Sequence, residues 1–143
     1  MGSVARIHLI AKHGGPPQEV EMAPADAGLG LRGDRHHGTS SGDLTLIEVE
    51  ALERLAAGSG LDLTGGHSRR NVTTRDVELG QLVGRRFRVG DVVCEGWRRC
   101  EPCEHLASLT SPLVLRGLVH TGLRASILES GTIRVGDTVE LID

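Results

Sequence analysis

Glycine punctuates this chain from end to end: 20 of its 143 residues are glycine, spread through the sequence rather than gathered in one tract. The segments between the glycines are short and rich in valine, isoleucine and leucine, which favour strands. Glycine also adopts the left-handed backbone conformations that tight turns require. The pattern therefore predicts many short strands joined by tight turns, which indicates a mainly β fold.

Alternating side chains predict individual strands. Apolar and polar residues alternate from Ala5 to Ala11, and again from Leu123 to Leu128. Two similar Gly-Asp motifs, at residues 90–91 and 136–137, are each flanked by β-prone runs. Because Gly-Asp forms tight turns, these motifs predict two hairpins, Phe87–Val89 with Val92–Cys94 and Thr132–Val135 with Thr138–Leu141.

Helices are predicted to be few. Residues 48–57 carry apolar side chains at helical spacing, with Gly58 available as the stop. Ser111 as N-cap and Pro112 in the first turn predict a second short helix, which runs to about residue 116. No linker or low-complexity segment divides the chain, so residues 1–143 are predicted to form a single domain.

Composition excludes several classes of function. Phe87 and Trp97 are the only aromatic residues of the Phe, Trp and Tyr types, and the formal net charge is −3. The chain therefore lacks the aromatic platforms and the basic field that nucleic-acid binding uses. No apolar stretch approaches the ~20 residues that cross a bilayer. Three cysteines clustered between Cys94 and Cys103 do not resemble a secreted disulfide framework, so a cytoplasmic location is predicted.

Two segments are rich in side chains that can donate hydrogen bonds to an oxyanion. Asp34, Arg35 and His36 lie in a glycine-flanked loop, where an arginine and an imidazole can donate to phosphate. A solvated turn in which Asp34 caps its own backbone explains that loop equally well. The second segment runs from Arg69 to Thr74. If it is extended, Arg69, Asn71 and Thr73 project to one side and Arg70, Val72 and Thr74 to the other.

The cysteines allow three interpretations. Cys100 and Cys103 have the spacing of a dithiol redox motif, which normally occurs between a strand and a helix of a strand–helix–strand unit. With Cys94 and His105 they supply four potential zinc ligands, although a second pair at zinc-finger spacing is absent. The third interpretation is a single reactive cysteine, Cys103, that binds a metal or carries sulfur. Cys94 follows two valines and is predicted to be buried.

A further segment contains side chains that can donate hydrogen bonds to an anion. His120 and Arg124 lie in residues 116–125, where Gly117 and Gly122 would let a loop pass close to a ligand. Glycine and threonine also serve simply as turn formers, so this segment is a weaker signal than the other three.

Taken in order, these segments resemble the MOSC domain family, typified by the C-terminal domain of molybdenum cofactor sulfurase. The resemblance extends over nearly the whole chain. The matching stretches are GLGLRGDRHHG at 28–38, DLTLIEVEALERL at 43–55, RRNVTTRDVEL at 69–79, LVGRRFRVGDV at 82–92, PCEHL at 102–106, and residues 122–141.

The resemblance implies a largely antiparallel β-barrel with a few short helices, and a pocket for the molybdenum cofactor. It implies that Cys103 is the direct molybdenum ligand or the carrier of a persulfide sulfur. It also implies that the segment containing Arg69 and Asn71 holds the pterin phosphate. The remaining predicted cofactor-binding residues are its neighbours: Thr73, Thr74, Asp34, Arg35 and His36. No direct contact with pyridoxal phosphate is implied.

The resemblance leaves alternatives open. As a molybdenum protein, the chain is expected to reduce N-hydroxylated compounds with electrons from a partner protein; as a sulfur carrier, it needs a sulfur donor. A non-catalytic barrel that binds a small anion, and a dithiol redox protein using Cys100 and Cys103, compete with both.

Arg70 stands where relatives often carry an acidic residue or proline. Cys100 is a thiol that the family does not require, and we hypothesise that it protects Cys103 by disulfide formation. The chain is expected to be a monomer or homodimer, with neither nucleic acid nor a membrane as partner.

Overall fold

The computed structural model describes residues 2–39 and 44–142. Asp43, the first residue of one matching stretch, lies outside these ranges, as do both ends of the predicted 1–143 domain. The described strands are β1 Gly2–Leu9, β2 Gln18–Val20, β3 Met22–Asp26, β4 Gly30–Leu31, β5 Leu44–Glu48, β6 Val72–Arg75, β7 Arg86–Val89, β8 Val92–Arg99, β9 Gly122–Glu129, β10 Gly131–Arg134 and β11 Thr138–Leu141. The helices are α1 Val49–Ser59, α2 Glu104–Leu109 and α3 Val114–Gly117, with a 3-10 helix at Leu79–Leu82.

Seven of the strands close into a barrel, in the order β11-β7-β8-β9-β5-β6-β1, and β1 pairs with β11 to complete the circle. All neighbouring pairs in this barrel are antiparallel except β5 and β6, which are parallel. Strand β2 pairs with the far end of β1, and β10, β3 and β4 form a second, three-stranded sheet. The predicted mainly β fold, an antiparallel barrel with a few short helices, is confirmed.

The barrel interior is filled by aliphatic side chains around Phe87, as the scarcity of aromatic residues requires. Strand β9 illustrates the pattern: Leu123, Ala125 and Ile127 are buried, in the alternation that the sequence predicted. A second apolar cluster lies outside the barrel. There Ile47 of β5 packs against α1, α2 and α3. Strand β5 therefore has apolar contacts on both faces, which fixes it firmly beside β6.

Strand β1 departs from simple alternation. The predicted alternation puts Ala5, Ile7 and Leu9 on one face; Ile7 is buried and Leu9 packs against the core, but Val4 is buried in place of Ala5, which is only half-buried. The pairing of β1 with β6 shifts between Val4 and Arg6, which is a β-bulge. Because a bulge inserts one unpaired residue, it changes which face later side chains occupy. The bulge places Ile7, rather than Arg6, on the same face as Val4. His8 alternates with Ile7 and is buried as well, with its Nε2 3.2 Å from Glu19 Oε1.

The two Gly-Asp motifs have different structural roles. The first forms the predicted hairpin, with Val89 paired to Val92 across the turn. The second does not: β10 pairs with β3, and β11 pairs with β7 and β1. The turn at Gly136 and Asp137 therefore carries the chain from the small sheet into the barrel. The two turns also interlock, because the Gly90 N–H donates to the Thr138 carbonyl at 3.0 Å.

The helices differ from prediction at their ends. Helix α1 passes through Gly58 and stops at Gly60, which adopts φ 77° and donates its N–H to the Ala56 carbonyl. Helix α3 begins at Val114, although the Ser111 hydroxyl does accept the Leu113 N–H at 3.2 Å. Helix α2, which directly follows Cys103, was not predicted from the sequence. Among the described residues, no helix has the length and apolar character to span a membrane.

Candidate functional site

The loop after β4 is held in place by a buried carboxylate. The Asp34 side chain is 2% exposed, and its Oδ1 accepts the Ile10 N–H at 3.0 Å while Oδ2 accepts the His36 N–H at 3.2 Å. The two adjacent histidines then diverge: His37 Nε2 lies 2.8 Å from Asp26 Oδ2, whereas His36 Nδ1 lies 3.9 Å from Asp34 Oδ2. Asp34 therefore fixes the loop from inside the protein. Arg35 and His36 are then the side chains of this loop that could contact a ligand.

Asn71 is the centre of a buried hydrogen-bond network. Its Nδ2 donates to Asp34 Oδ1 at 3.1 Å and to the His8 carbonyl at 3.2 Å. Its Oδ1 accepts the Thr45 hydroxyl at 3.0 Å and the Thr45 N–H at 3.3 Å. These contacts tie β1, β5 and the Asp34 loop to the start of β6. The side-chain amide of Asn71 is therefore occupied by partners inside the protein.

The rest of the Arg69–Thr74 segment also departs from the predicted two-sided strand. Arg69 adopts φ 61°, and strand β6 begins only at Val72, so the predicted projection of Arg69, Asn71 and Thr73 to one side is wrong. Thr73 and Thr74 are buried within the β5–β6 pair, and the Thr74 hydroxyl donates to the Ile47 carbonyl at 3.4 Å. These two predicted contacts to the cofactor therefore lie inside the barrel wall.

Four arginines converge beside this network. Burial lowers the pKa of the Arg35 guanidinium; the Asp34 carboxylate opposes that effect, and the like charges of Arg69, Arg70 and Arg124 add to it. Burial likewise lowers the pKa of His36, with a further contribution from the Arg35 charge. The four arginines, from the Asp34 loop, the start of β6 and strand β9, are called the arginine cluster below. Arg35 feels the charge of one carboxylate, Asp34, and of three other arginines, so positive charge is in excess around it.

The arginine cluster holds donors without acceptors. Within residues 2–39 and 44–142, four buried side-chain nitrogens lack a hydrogen-bond partner: His8 Nδ1, Arg35 Nε, Arg69 Nη2 and Arg70 Nε. Three of these four atoms belong to the arginine cluster. Since a buried donor without a partner costs roughly 1–3 kcal/mol, such groups are usually satisfied by an ordered water or by a bound ligand. Guanidinium nitrogens match the oxygens of a phosphate in geometry and charge.

The arginine cluster is joined to the segment that carries Cys103. Arg70 Nη2 donates to the Glu101 carbonyl at 3.2 Å, and Cys103 follows two residues later, with an exposed side chain. The Glu101 carboxylate accepts the His120 N–H at 2.7 Å and lies 3.1 Å from His120 Nδ1. Glu101 therefore holds this segment against both the arginine cluster and the turn before β9.

The loop between β1 and β2 forms another wall of the site, which the sequence analysis identified only as a turn. Arg69 Nη1 donates to the Gly15 carbonyl at 2.8 Å. The His13 ring stacks on His105 of α2, with 4.9 Å between centroids. This loop therefore touches both the arginine cluster and the helix after Cys103. Both contacts join distant parts of the chain, so no local sequence signal could have revealed them.

The alternative interpretations of the cysteines fare differently. Cys94 packs in the barrel core, and burial raises its pKa to about 12, as its predicted spectator role requires. It is thereby separated from the exposed Cys103, which argues against a shared zinc site. Elsewhere in the described ranges too, no group of three or more His, Cys, Asp and Glu side chains is arranged to hold a metal ion. Cys100 and Cys103 do lie between a strand, β8, and a helix, α2, but β8 and the next strand, β9, are antiparallel barrel neighbours rather than the parallel strands of a strand–helix–strand unit.

A separate cleft lies at the other end of the β5–β6 pair. Its volume is about 680 Å³, and its lining is rich in carboxylates. Of these, Glu48 Oε2 accepts the Leu79 N–H at 3.0 Å and Glu50 Oε2 accepts the Asp76 N–H at 2.8 Å. Cys103 and the arginine cluster do not line this cleft. We call its rim the acidic rim.

The fold and the site together define a class of protein: a small closed β-barrel with a cluster of partly buried arginines linked through Glu101 to the segment that carries an exposed thiol. Comparison with protein-family models then identifies the chain, because the MOSC domain model matches residues 33–140. The chain belongs to the MOSC domain family, as its sequence motifs suggested. That family is associated with binding of the molybdenum cofactor.

Solved structures share the fold. The YUAD protein from Bacillus subtilis superposes with a TM-score of 0.82 at 15% identity, covering 99% of this chain and 96% of that one. YiiM from Geobacillus stearothermophilus has a TM-score of 0.78 at 14% identity, covering 100% and 76%. YiiM from Escherichia coli has a TM-score of 0.71 at 16% identity, covering 100% and 70%. A search of curated proteins finds no significant match.

Proposed function

We propose that this chain binds the molybdenum cofactor, with its phosphate held by Arg35, Arg69 and Arg70 and its metal ligated by Cys103. The observation that carries the proposal is the set of three buried guanidinium nitrogens without acceptors. A phosphate supplies the oxygens that these donors lack, and its negative charge offsets their mutual repulsion. His36 and Arg124 adjoin the phosphate position as further donors.

The thiol fits the other part of the cofactor. Cys103 is exposed, and it is joined through Glu101 to Arg70, which is itself one of the phosphate ligands. A thiolate is a soft ligand, which suits molybdenum. When bound, the cofactor supplies two-electron redox chemistry at its metal, and we propose reduction of an N-hydroxylated compound as the reaction, with electrons from a separate protein.

Within this proposal, the chain's own residues bind the cofactor and hold it in one orientation. Asp34 and Asn71 form no contact with the cofactor; they hold the Asp34 loop and the start of β6 at a fixed separation. Glu101 sets the position of Cys103 relative to the arginine cluster. Thr73 and Thr74 stabilise the β5–β6 pair that underlies the site. We also propose that the protein is located in the cytoplasm.

Metal content tests the thiol ligand. Protein produced in a host that makes the cofactor is expected to carry molybdenum, measured by elemental analysis, and Cys103→Ala is expected to lose nearly all of it. Cys94→Ala is the matched control, since that thiol lies in the core and alanine adds no polar group there. Full molybdenum content in Cys103→Ala would refute the role of Cys103 and leave a barrel that binds an anion by its arginines alone.

Phosphate binding tests the arginine cluster without the cofactor. The melting temperature of the metal-free protein is expected to rise on addition of inorganic phosphate. Arg70→Met is expected to weaken the binding of phosphate at least ~10-fold, because it removes one charge-assisted hydrogen bond. Arg88→Met, an exposed arginine paired across strands with Glu140, is the control and should bind phosphate as the native chain does.

Mass spectrometry distinguishes sulfur transfer from metal ligation at the same thiol. A Cys103 that carries sulfur gains the mass of one sulfur atom after exposure to a persulfide donor and returns to its starting mass with a thiol acceptor. We expect no such cycling in the molybdenum-loaded protein. Its occurrence at high yield would replace the redox proposal by sulfur carriage.

A further inference from the structure

Two thiols lie at opposite ends of one short connecting segment. Cys100 directly follows β8, is half-buried, and donates its N–H to the Gly122 carbonyl at 3.0 Å. Cys103 directly precedes α2 and is exposed. Both cysteines are unbridged. Glu101 and Pro102 separate them, in a stretch without regular secondary structure.

The two ends of this segment differ in how firmly they are held. A side chain at Gly122 would overlap the Cys100 carbonyl, so β8 and β9 are packed tightly at this point. Helix α2, by contrast, has only six residues, of which Leu106 and Ala107 are buried. Cys100 is therefore fixed by the barrel, whereas Cys103 is attached to a short element that holds few buried side chains.

We propose that Cys100 and Cys103 form a reversible disulfide in response to peroxide, which removes the Cys103 thiol from use before it is oxidised irreversibly. Formation of the bond does not depend on the proposed function, but its effect on cofactor binding does. The exposed Cys103 reacts first. Its thiolate attacks the peroxide, one oxygen atom is transferred, and a sulfenic acid and hydroxide (or an alcohol) form.

Cys100 completes the reaction. Its sulfur attacks the sulfenic sulfur of Cys103, the S–O bond breaks, and water leaves as the S–S bond forms. Overall, two thiols and one peroxide give one disulfide, one water and one water or alcohol, with the peroxide as the two-electron oxidant. A dithiol reductant reverses the change. Cys94 takes no part, because it lies in the barrel core.

The chain can close this bond by a local movement. A disulfide requires Cα atoms about 4.4–6.8 Å apart, and the three residue steps from Cys100 to Cys103 span at most about 11 Å when extended. Bending of the Glu101–Pro102 stretch therefore suffices. That bend displaces Glu101, whose carbonyl accepts from Arg70 and whose carboxylate accepts the His120 N–H. Oxidation accordingly loosens the link between Cys103 and the arginine cluster.

The experiment treats the full-length, metal-free protein with a few equivalents of hydrogen peroxide and digests it with trypsin. Cleavage after Arg99 and Arg116 places Cys100 and Cys103 in one peptide, and cleavage after Arg88 and Arg98 places Cys94 in another. The 100–116 peptide is expected to lose two hydrogen atoms and to regain them with dithiothreitol. The Cys94 peptide is expected to stay unchanged.

Two variants decide between protection and simple oxidation. In Cys100→Ser, Cys103 is expected to accumulate as sulfinic acid at least tenfold more than in the native chain, whereas Cys94→Ala should behave as the native chain does. Sulfinic acid at Cys103 with Cys100 still reduced in the native chain would overturn the proposal, as would the absence of any oxidation at either cysteine.

A phosphate titration separates this inference from the proposed function. If both hold, the oxidised protein shows a smaller thermal shift with inorganic phosphate than the reduced protein. A disulfide that forms in a protein whose reduced form shows no phosphate shift would leave the disulfide standing and refute the anion site. A phosphate shift without a disulfide would do the reverse.

Discussion

The two ends of the parallel β5–β6 pair carry opposite charge and satisfy it in opposite ways. At the acidic rim, carboxylates are used internally: Glu48 accepts the Leu79 N–H and Glu50 accepts the Asp76 N–H. At the arginine cluster, three buried guanidinium nitrogens have no partner. Charge by itself therefore does not mark a ligand site; the informative feature is a buried donor that the chain itself leaves unsatisfied.

The largest expected difference between the two ends concerns stability. Asn71→Ala removes the amide that serves His8, Asp34 and Thr45, and leaves buried groups without partners. We expect it to lower the free energy of unfolding by about 3 kcal/mol. Glu50→Gln at the acidic rim keeps an acceptor oxygen for Asp76 and should change stability by under ~0.5 kcal/mol. Urea denaturation measures both, and equal losses would contradict the comparison.

The next difference concerns oxyanions. A ligand present at ten times its dissociation constant stabilises a protein by about 1.4 kcal/mol, so inorganic phosphate should raise the melting temperature of the native chain by several degrees. Arg124→Met removes one cation of the arginine cluster and is expected to reduce that shift by about half. Arg54→Met at the acidic rim is the matched control. If both variants lowered the shift alike, phosphate would be responding to net charge rather than to a site.

The two ends should also respond oppositely to pH. Burial is the main reason that His8, which adjoins Asn71, has a pKa below its usual 6.5. His8 is therefore neutral in the folded chain, and its contribution to stability is complete above pH 6.5 and is lost as pH falls through the folded pKa. We expect the urea midpoint to fall between pH 7.5 and 5.5, and His8→Gln to flatten that decline. An identical slope in the variant would assign the decline to other groups.

The smallest effect is expected at the acidic rim. Burial raises the pKa of Glu48 above its usual 4.5, so its contribution to stability is complete below pH 4.5 and is lost as pH rises through the folded pKa. Glu48→Gln removes that loss and keeps an acceptor for the Leu79 N–H. After solvent screening, we expect a gain of about 0.3 kcal/mol at pH 7 that disappears near pH 4. A loss at pH 7 would show that the Leu79 contact requires the charge.

Sequence alone supplied the architecture because glycine spacing and residue alternation are local signals. They predicted β9 and the hairpin at Gly90 correctly, and the ordered motifs identified the family. They could not reveal the bulge in β1 or the pairing of β10 with β3, because both depend on which strands meet in space. The second Gly-Asp motif was misleading for that reason: a turn signal indicates a reversal of the chain and leaves open which strand lies beside it.

The site was harder to predict than the fold. Arg35 and Arg69 each have a buried nitrogen without a partner, whereas the side chains of Asn71, Thr73 and Thr74 are buried inside the protein. A polar side chain has the same chemistry whether it faces a ligand or a neighbouring strand, so its type does not reveal its direction. The contributions of Gly15 and His13 depend entirely on tertiary contacts with Arg69 and His105. These are contacts that a reading of single segments cannot find.

The parallel direction of β5 and β6 has an electrical consequence. Arg69 and Arg70 directly precede β6, whereas Glu48 ends β5 and Asp76 directly follows β6, and a five-residue strand is about 16 Å long. The barrel thus carries a local dipole that its modest net charge of −3 conceals. An approaching anion is attracted to one rim and repelled from the other, so its capture should slow as salt shortens the reach of that field.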